Sequence, residues 1–472
     1  RPGVHSRTFI RHVFCTLCRK EDAMSKQRIQ LSDHFTYSRL LRFVLPCIGT
    51  MLFTSIYGIV DGLCVSNFVG KTAFAAVNLI MPLPMLLGTI GFMLGTGGSA
   101  IVGITLGEGD QKKADRYFTL FLLAALVSVS VLAVLGIVFL RPIAVLLGAK
   151  GELLDYAVRY GRILMVSLPT FALQNMFQSF FVTAEKPHLG FWFTVGAGCT
   201  NMVLDVLMVG VWGWGVEGAA IATFISQLVG GVLPVFYFID RSNSSRLHLC
   251  QTKVYGGVLR DACINGSSEL MTNLSMSLVN ILYNYQLLRL AGENGVAAYG
   301  VIMYAAFLFV AVFVGYAVGS APIVSFHYGA RNHAEVHNLY RKSLRLIAVV
   351  AVTLTLASMF IIPCVARVFV GYDAELLALT SRAFRLYALS FLIMGFNVYA
   401  SSFFTALGDG VTSALISFLR TLAFQVIAIL LLPMLLGIDG IWLAVTAAEL
   451  AALAVSAAML LTKDKVFHYR KA

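Results

Sequence analysis

Hydrophobic positions in this chain come in long runs, not in the two-residue alternation of half-buried strands or the one-sided stripes of surface helices. Twelve runs of about 20 residues or more can be marked, at 43–69, 75–106, 117–140, 157–181, 189–211, 216–239, 263–290, 296–326, 344–368, 386–407, 411–435 and 438–461. Each is long enough to cross a hydrocarbon core of about 30 Å as a helix. A closed barrel is excluded, because its strands alternate over about ten residues. The pattern predicts an all-α polytopic membrane protein with twelve transmembrane helices.

The polar exceptions inside the runs carry the functional argument. Asp61 stands in the first run, and a carboxylate at the centre of a membrane helix costs about 2.5–3.5 kcal/mol on insertion, which asks for a functional reason. Pro46, earlier in the same run, removes a backbone donor and clashes with the preceding turn, so this helix can bend at its inner end. Asn201 and Asp205 are four residues apart and share a helix face, as do Tyr57 and Asp61. At about 1.5 Å per residue, Asp61 lies about 27 Å and Asp205 about 24 Å along their helices, with Thr223 one to two turns inward from the outer side. Tyr57, Asp61, Asn201, Asp205 and Thr223 can therefore share the outer half of one bundle. Two carboxylates, an amide, a hydroxyl and a phenol form a hard-oxygen site suited to Na⁺, and the same acids suit a proton.

Composition agrees with the pattern: 58% of residues are hydrophobic and 12% charged, far from the soluble range of about a quarter charged. The net charge of +12 does not indicate a nucleic-acid partner, because Lys and Arg lie mostly between the runs. With a cytoplasmic amino terminus, roughly 25 of them fall in the tails and inner loops against about 9 in outer loops, leaving Arg420 inside a span. Both termini are thus expected in the cytoplasm, with the protein multi-pass in the plasma membrane. The eight cysteines, several inside runs (Cys47, Cys64, Cys199), imply no disulfide framework, and Cys15 and Cys18 form a lone CxxC without a second metal-binding pair. Met24 is the expected start, residues 1–23 being upstream sequence, and nothing resembles a cleavable signal peptide.

The chain also repeats itself. At an offset of 222 residues Ala75-Ala76 fall on Ala297-Ala298, Gly97 on Gly319, Gly107 on Gly329, Thr183-Ala184 on Thr405-Ala406, and Gly215-Val216-Glu217-Gly218 on Gly437-Ile438-Asp439-Gly440. The expected organisation is a basic, disordered tail (1–35), a first lobe (36–240), a cytoplasmic linker (241–260), a second lobe (261–462) and a short tail (463–472). Six crossings per copy make the repeats parallel, related by a pseudo-two-fold axis along the membrane normal and able to rock about a central cavity. The copies differ where the polar set lies: Asp61 corresponds to Tyr283, Asn201 to Ala423, Asp205 to Ile427 and Thr223 to Val445. The titratable site is expected in the first lobe alone.

The Pro46 to Asp61 spacing, Gly95-Thr96-Gly97-Gly98-Ser99-Ala100 with Leu106-Gly107-Glu108-Gly109-Asp110, and Asn201-Met202-Val203-Leu204-Asp205 with Gly215 to Thr223 resemble the multidrug and toxic compound extrusion (MATE) family. The resemblance covers about residues 35–462. It implies two six-helix lobes in a V, working as a secondary antiporter that exports amphipathic, usually cationic, drugs or dyes in exchange for H⁺ or Na⁺. It also implies that Asp61, Asn201, Asp205 and Thr223 form the first-lobe cation site, with Tyr57 beside it and Pro46 as the hinge. No organic cofactor or resident metal is implied, and a monomer is expected. Glu269 matches an acidic position of the seventh helix and becomes a candidate counter-ion for substrate, while the tenth helix offers Asn397 in place of a family carboxylate.

Other polar residues add detail. Gln174, Asn175 and Gln178 on the fourth run are candidates for lining the substrate cavity, or for helix packing. Glu449 in the twelfth run has Arg420 in the eleventh as a conceivable partner. The 34 Phe, 18 Tyr and 16 Met suit a cavity for varied flat compounds, although most must face lipid or neighbouring helices. Gly107-Glu108-Gly109 lacks the lysine and spacing of a phosphate loop, and the histidines lie mainly at run ends and loops, so an ATP-driven pump and an intramembrane enzyme are both disfavoured. A flippase of lipid-linked oligosaccharides, related in fold, would need a strongly cationic cavity, for which Arg420 alone is little.

Overall fold

A backbone in hydrocarbon must satisfy its own hydrogen bonds, and every one of the twelve apolar runs folds as helix. The computed structural model describes residues 29–470 apart from 70 and 372; Met24 and the Cys15/Cys18 pair lie outside the described residues. In the first half the helices are α1 (Tyr37–Phe68), α2 (Lys71–Ile80), α3 (Pro82–Gly107), α4 (Gln111–Leu146), α5 (Glu152–Thr183), α6 (Pro187–Val211) and α7 (Gly215–Ile239). The second half has α8 (256–291), α9 (293–329), α10 (His333–Val370), α11 (Ala374–Ala388), α12 (Phe391–Ala406), α13 (Gly410–Leu436) and α14 (Ile438–Thr462). Asp110 caps α4 through Lys113 N and Asn332 caps α10 through Glu335 N, two caps related by the repeat offset.

Three spans depart from the simple expectation. Among the described residues nine helices are long and apolar enough to cross a membrane on their own, or ten with one bent pair. The stretch Gly256–Gly329 counts once there, although Gly292 (φ 61°, ψ −150°) breaks it into α8 and α9. The tenth run is not one straight helix, because α11 and α12 meet at 46°. The fourth, α5, falls short because Gln174, Asn175 and Gln178 interrupt its apolar part. Three turns are π-helical, Val206–Val211 in α6, Leu228–Val232 in α7 and Leu419–Ala423 in α13.

The two copies meet with the symmetry the repeat implies. A Cβ on Gly107 would stand 2.0 Å from Phe326 O, and one on Gly329 would stand 2.1 Å from Ile104 O. Gly107 and Gly329, like Ile104 and Phe326, are related by the 222-residue offset, so the contact is reciprocal, as across a two-fold axis. Only glycine lets the ends of α3 and α9 approach so closely.

These ends lie at the face that carries both described chain ends, termed proximal here. A strap ahead of α1 crosses this face from one copy to the other. Leu31 N donates to Glu185 Oε1 (2.9 Å) on the α5–α6 turn, and Phe35 N donates to Glu335 Oε1 (2.9 Å) at the start of α10. His34 Nδ1 meets Glu335 Oε2 at 2.6 Å, and Phe35 O accepts from Asn338 (3.1 Å) and Lys342 (2.6 Å). Leu31 and Phe35 are fully buried. Arg246, in the segment between the copies, pairs with Glu185 at 2.6 Å and lies over the Phe326 ring at 4.9 Å.

Candidate polar sites in the two copies

The first-copy site is built on α6. Gly198, Asn201 and Asp205 follow one another at steps of three and four, so they share a face. Gly198 is bare because α1 passes over it: a Cβ there would stand 2.4 Å from Phe53 Cε1 and 3.2 Å from Tyr57 Cδ1. Tyr57 thus lies against the turn of α6 that precedes Asn201. Position 61 is one turn further along α1; the Asp61 side chain lies outside the described residues.

Asp205 is fully buried and is not without an interaction partner. Asn201 is 2% exposed, and its Nδ2 has no hydrogen-bond acceptor among the described residues. The π turn of α6 begins directly after Asp205, and such one-residue insertions gather at functional places. On α7, Thr223 is half-buried, and its hydroxyl donates to Ala219 O (3.0 Å), so only the oxygen lone pairs remain for a ligand. Gln227, one turn on from Thr223 and on the same face, is buried with Oε1 unpartnered among the described residues. Sequence reasoning did not single it out, although its four-residue spacing from Thr223 was the available signal.

A cavity of about 320 Å³ opens at the opposite, distal end of the first copy, lined by Tyr156, Arg159, Val209, Trp214, Val216 and Glu217 among others. Val209 lies four residues beyond Asp205, within the π turn that the acid precedes, so this opening and the buried acid belong to neighbouring stretches of α6. Arg159 and Glu217 stand 3.8 Å apart there, both mostly exposed.

The candidate cavity residues of α5 part company. Gln174 is buried with Cδ packed against Gly230 of α7, and Asn175 is buried with Nδ2 unpartnered among the described residues. Gln178 instead lines a narrow cavity with Cys47, Thr50 and Met51 of α1 and Val318 of α9, between the copies. The cavity touches the bend of α1. Beyond Pro46 the hydroxyls of Thr50, Thr54 and Ser55 return to carbonyls four residues earlier (2.9, 2.8 and 3.0 Å), a pattern that favours bending.

The first-copy acids, amide and hydroxyl are expected in that copy alone, with Glu269, Arg420 and Glu449 as separate candidates in the second. At the matched positions the second copy does lack them, and Tyr283, in the place of Asp61, stacks on Tyr299 at 5.0 Å. Elsewhere it holds a charged cluster that the offset could not reveal. Arg420 Nε donates to Glu449 Oε1 at 2.8 Å, with side-chain exposures of 13% and 1%. Asn397 Nδ2 donates to Glu449 Oε2 (2.7 Å) and Glu449 O (2.9 Å), while Ser456 donates to Asn397 Oδ1 (2.9 Å). Arg420 stands where the first copy has Gly198, and its charge also acts on half-buried Glu269 of α8. Among the described residues no His, Cys, Asp and Glu cluster has metal-holding geometry.

Comparison with known proteins places this arrangement. The family model MatE matches residues 46–207 and again 270–431, one match in each copy. The multidrug export protein MepA of Staphylococcus saprophyticus is 21% identical over 436 residues, covering 91% of this chain and 95% of that protein. A crystal structure of MATE in complex with MaL6 superposes with a TM-score of 0.87 at 22% identity, covering 95% of this chain and all of that one. A structure described as the outward-facing conformation of a multidrug resistance MATE family transporter of the MOP superfamily gives 0.87 at 22% identity, covering 95% and 99%.

Proposed function

The chain belongs to the MatE family, and from that membership we propose that it is a multidrug efflux transporter, a secondary antiporter that exports amphipathic, cationic compounds in exchange for H⁺ or Na⁺. The observation that carries the coupling half of this reading is the buried face of Asn201 and Asp205 on α6, covered by Tyr57 of α1 and approached by the distal cavity. An ion arriving from the distal side meets Asp205, with Asp61, Thr223 and Gln227 as further oxygen donors of the same bundle. The excess of Lys and Arg in the tails and inner loops supports reading the proximal face as cytoplasmic and the distal face as lying outside the plasma membrane.

In this reading the ion and the drug favour different states, since a ligand with equal affinity for both would shift nothing. Ion binding at Asp205 is transmitted to α1, whose Pro46 and back-bonded hydroxyls let it bend beside the cavity that Gln178 lines, and cargo leaves outward. After the ion departs inward, the ionised site and Glu269 again accept a cation. The flippase alternative would need free cationic groups in the cleft, whereas Arg420 is held by Glu449.

Reconstituted transport of a fluorescent cationic dye under an imposed pH gradient and, separately, an imposed Na⁺ gradient tests the proposal. Asp205→Asn should abolish gradient-driven efflux while dye binding to the purified protein persists. Efflux by Asp205→Asn at the wild-type rate would remove the coupling assignment.

A further inference from the structure

The second-copy cluster holds two carboxylates and one guanidinium within reach of one another, and only one of the acids has the guanidinium bonded to it. Building on the reading of Glu269 as the cargo's counter-ion, we infer that Glu449 is a positioning residue: with Asn397 and Ser456 it holds Arg420 away from Glu269, keeping that carboxylate available to a cationic substrate.

The geometry runs from the helix contacts upward. The start of α13 packs on α8 at Asn265, with a Cβ on Gly410 falling 2.2 Å from the Asn265 Cα. Glu269 is one turn along α8 from that contact. Arg420 is further along α13, about 9 Å beyond the level of Glu269 by helical rise, and helical side chains lean toward their own N-terminus, which carries a long arginine arm back toward that level. Its charge is felt at Glu269 accordingly. Two acids therefore compete for one cation that never loses its proton.

Three helices are committed to deciding that competition. Both Glu449 oxygens are engaged, one by Arg420 and one by Asn397. Asn397 cannot flip its amide without losing both bonds to Glu449 and the bond from Ser456. The receptor is thus rigid, buried and shaped for one ion-pair partner, whereas Glu269 as a residue is half-buried and has no arginine bonded to it among the described residues. With Arg420 on Glu449, the cluster presents one surplus negative charge, located at Glu269. With Glu449 neutral, the same arginine would turn to Glu269 and act as a tethered competitor of the cargo.

The test is a double-mutant cycle on the purified full-length protein, read by ethidium binding and by thermal unfolding of the same samples. Glu449→Gln should weaken ethidium binding about tenfold or more, because the freed guanidinium now neutralises Glu269 at short range. Adding Arg420→Gln to it should return the affinity to within about threefold of wild type. Most telling is the Glu269→Gln background, where the arginine has no carboxylate to block: Glu269→Gln/Glu449→Gln should bind ethidium no more weakly than Glu269→Gln alone. If the two losses instead multiply, or if affinity follows melting temperature across the set, Glu449 serves packing only and the inference falls. If Glu269→Gln alone leaves ethidium affinity unchanged, the counter-ion reading itself fails, and the inference goes with it.

Discussion

Removing the Glu335 carboxylate should release the strap from the proximal face, and the size of the effect follows from its three contacts. Glu335 Oε1 takes the Phe35 amide and Asn338, and Oε2 takes His34. In Glu335→Ala the Phe35 N–H, on a fully buried residue, is stranded at a cost of about 1–3 kcal/mol. The His34 contact, on a side chain 66% exposed, adds less than about 1 kcal/mol. A total of about 1–4 kcal/mol corresponds to roughly 5- to 700-fold faster opening. Hydrogen exchange of a peptide covering residues 29–40, followed by mass spectrometry in detergent or nanodiscs, reads this directly. Glu335→Gln keeps an oxygen for the Phe35 amide and should exchange less than about fivefold faster than wild type. Unchanged protection in Glu335→Ala, or equal loss in both variants, would refute the reasoning.

Other expectations can be checked more briefly. Gly107→Val and Gly329→Val should lower the melting temperature by similar amounts, because each places a Cβ about 2 Å from a carbonyl oxygen of the repeat-related helix; a large difference between them would argue against the two-fold contact. Val209→Trp should fill the distal cavity and slow gradient-driven efflux while leaving dye affinity as it was, measured in proteoliposomes and by equilibrium binding. Asp409, on the turn before α13, has its pKa raised by burial but lowered further by hydrogen bonds from Lys463 and Thr412, so the net result is below the ordinary carboxylate value. Its contribution to stability is therefore complete above about pH 4 and lost as pH falls through the lowered value, so the melting-temperature gap between wild type and Asp409→Asn should close toward pH 3.

The helical class and the duplication were legible because membrane spans and glycine contacts leave local marks: apolar run length, and Gly107 recurring as Gly329. The break between α11 and α12 left none, since Leu389 and Ser390 are unremarkable residues in an apolar run. The strap was equally silent, as its bonds join residues 154 to 307 positions apart and ordinary carboxylates such as Glu335 serve as anchors. For the first-copy site, the four-residue step from Asn201 to Asp205 put both on one face, but the hydrogen bond that Thr223 donates to Ala219 O and the burial of Gln227 depend on the rotamers and packing of α7. Arg420 and Glu449 could be matched by charge alone, whereas the roles of Asn397 and Ser456 needed the fold.

The π turns have a consequence for how such a chain can change length. Each packs one extra residue into a helical turn, and Asp205 and Gln227 immediately precede two of them while Arg420 lies inside the third. Deleting one residue within such a turn restores an ordinary α ladder and leaves the preceding part of the span in place. A deletion elsewhere in a span would instead rotate everything beyond it by about 100°. Single-codon losses in this gene should accordingly be survivable at these three places, with altered ion or drug preference as their signature, and lethal to folding in the neighbouring turns.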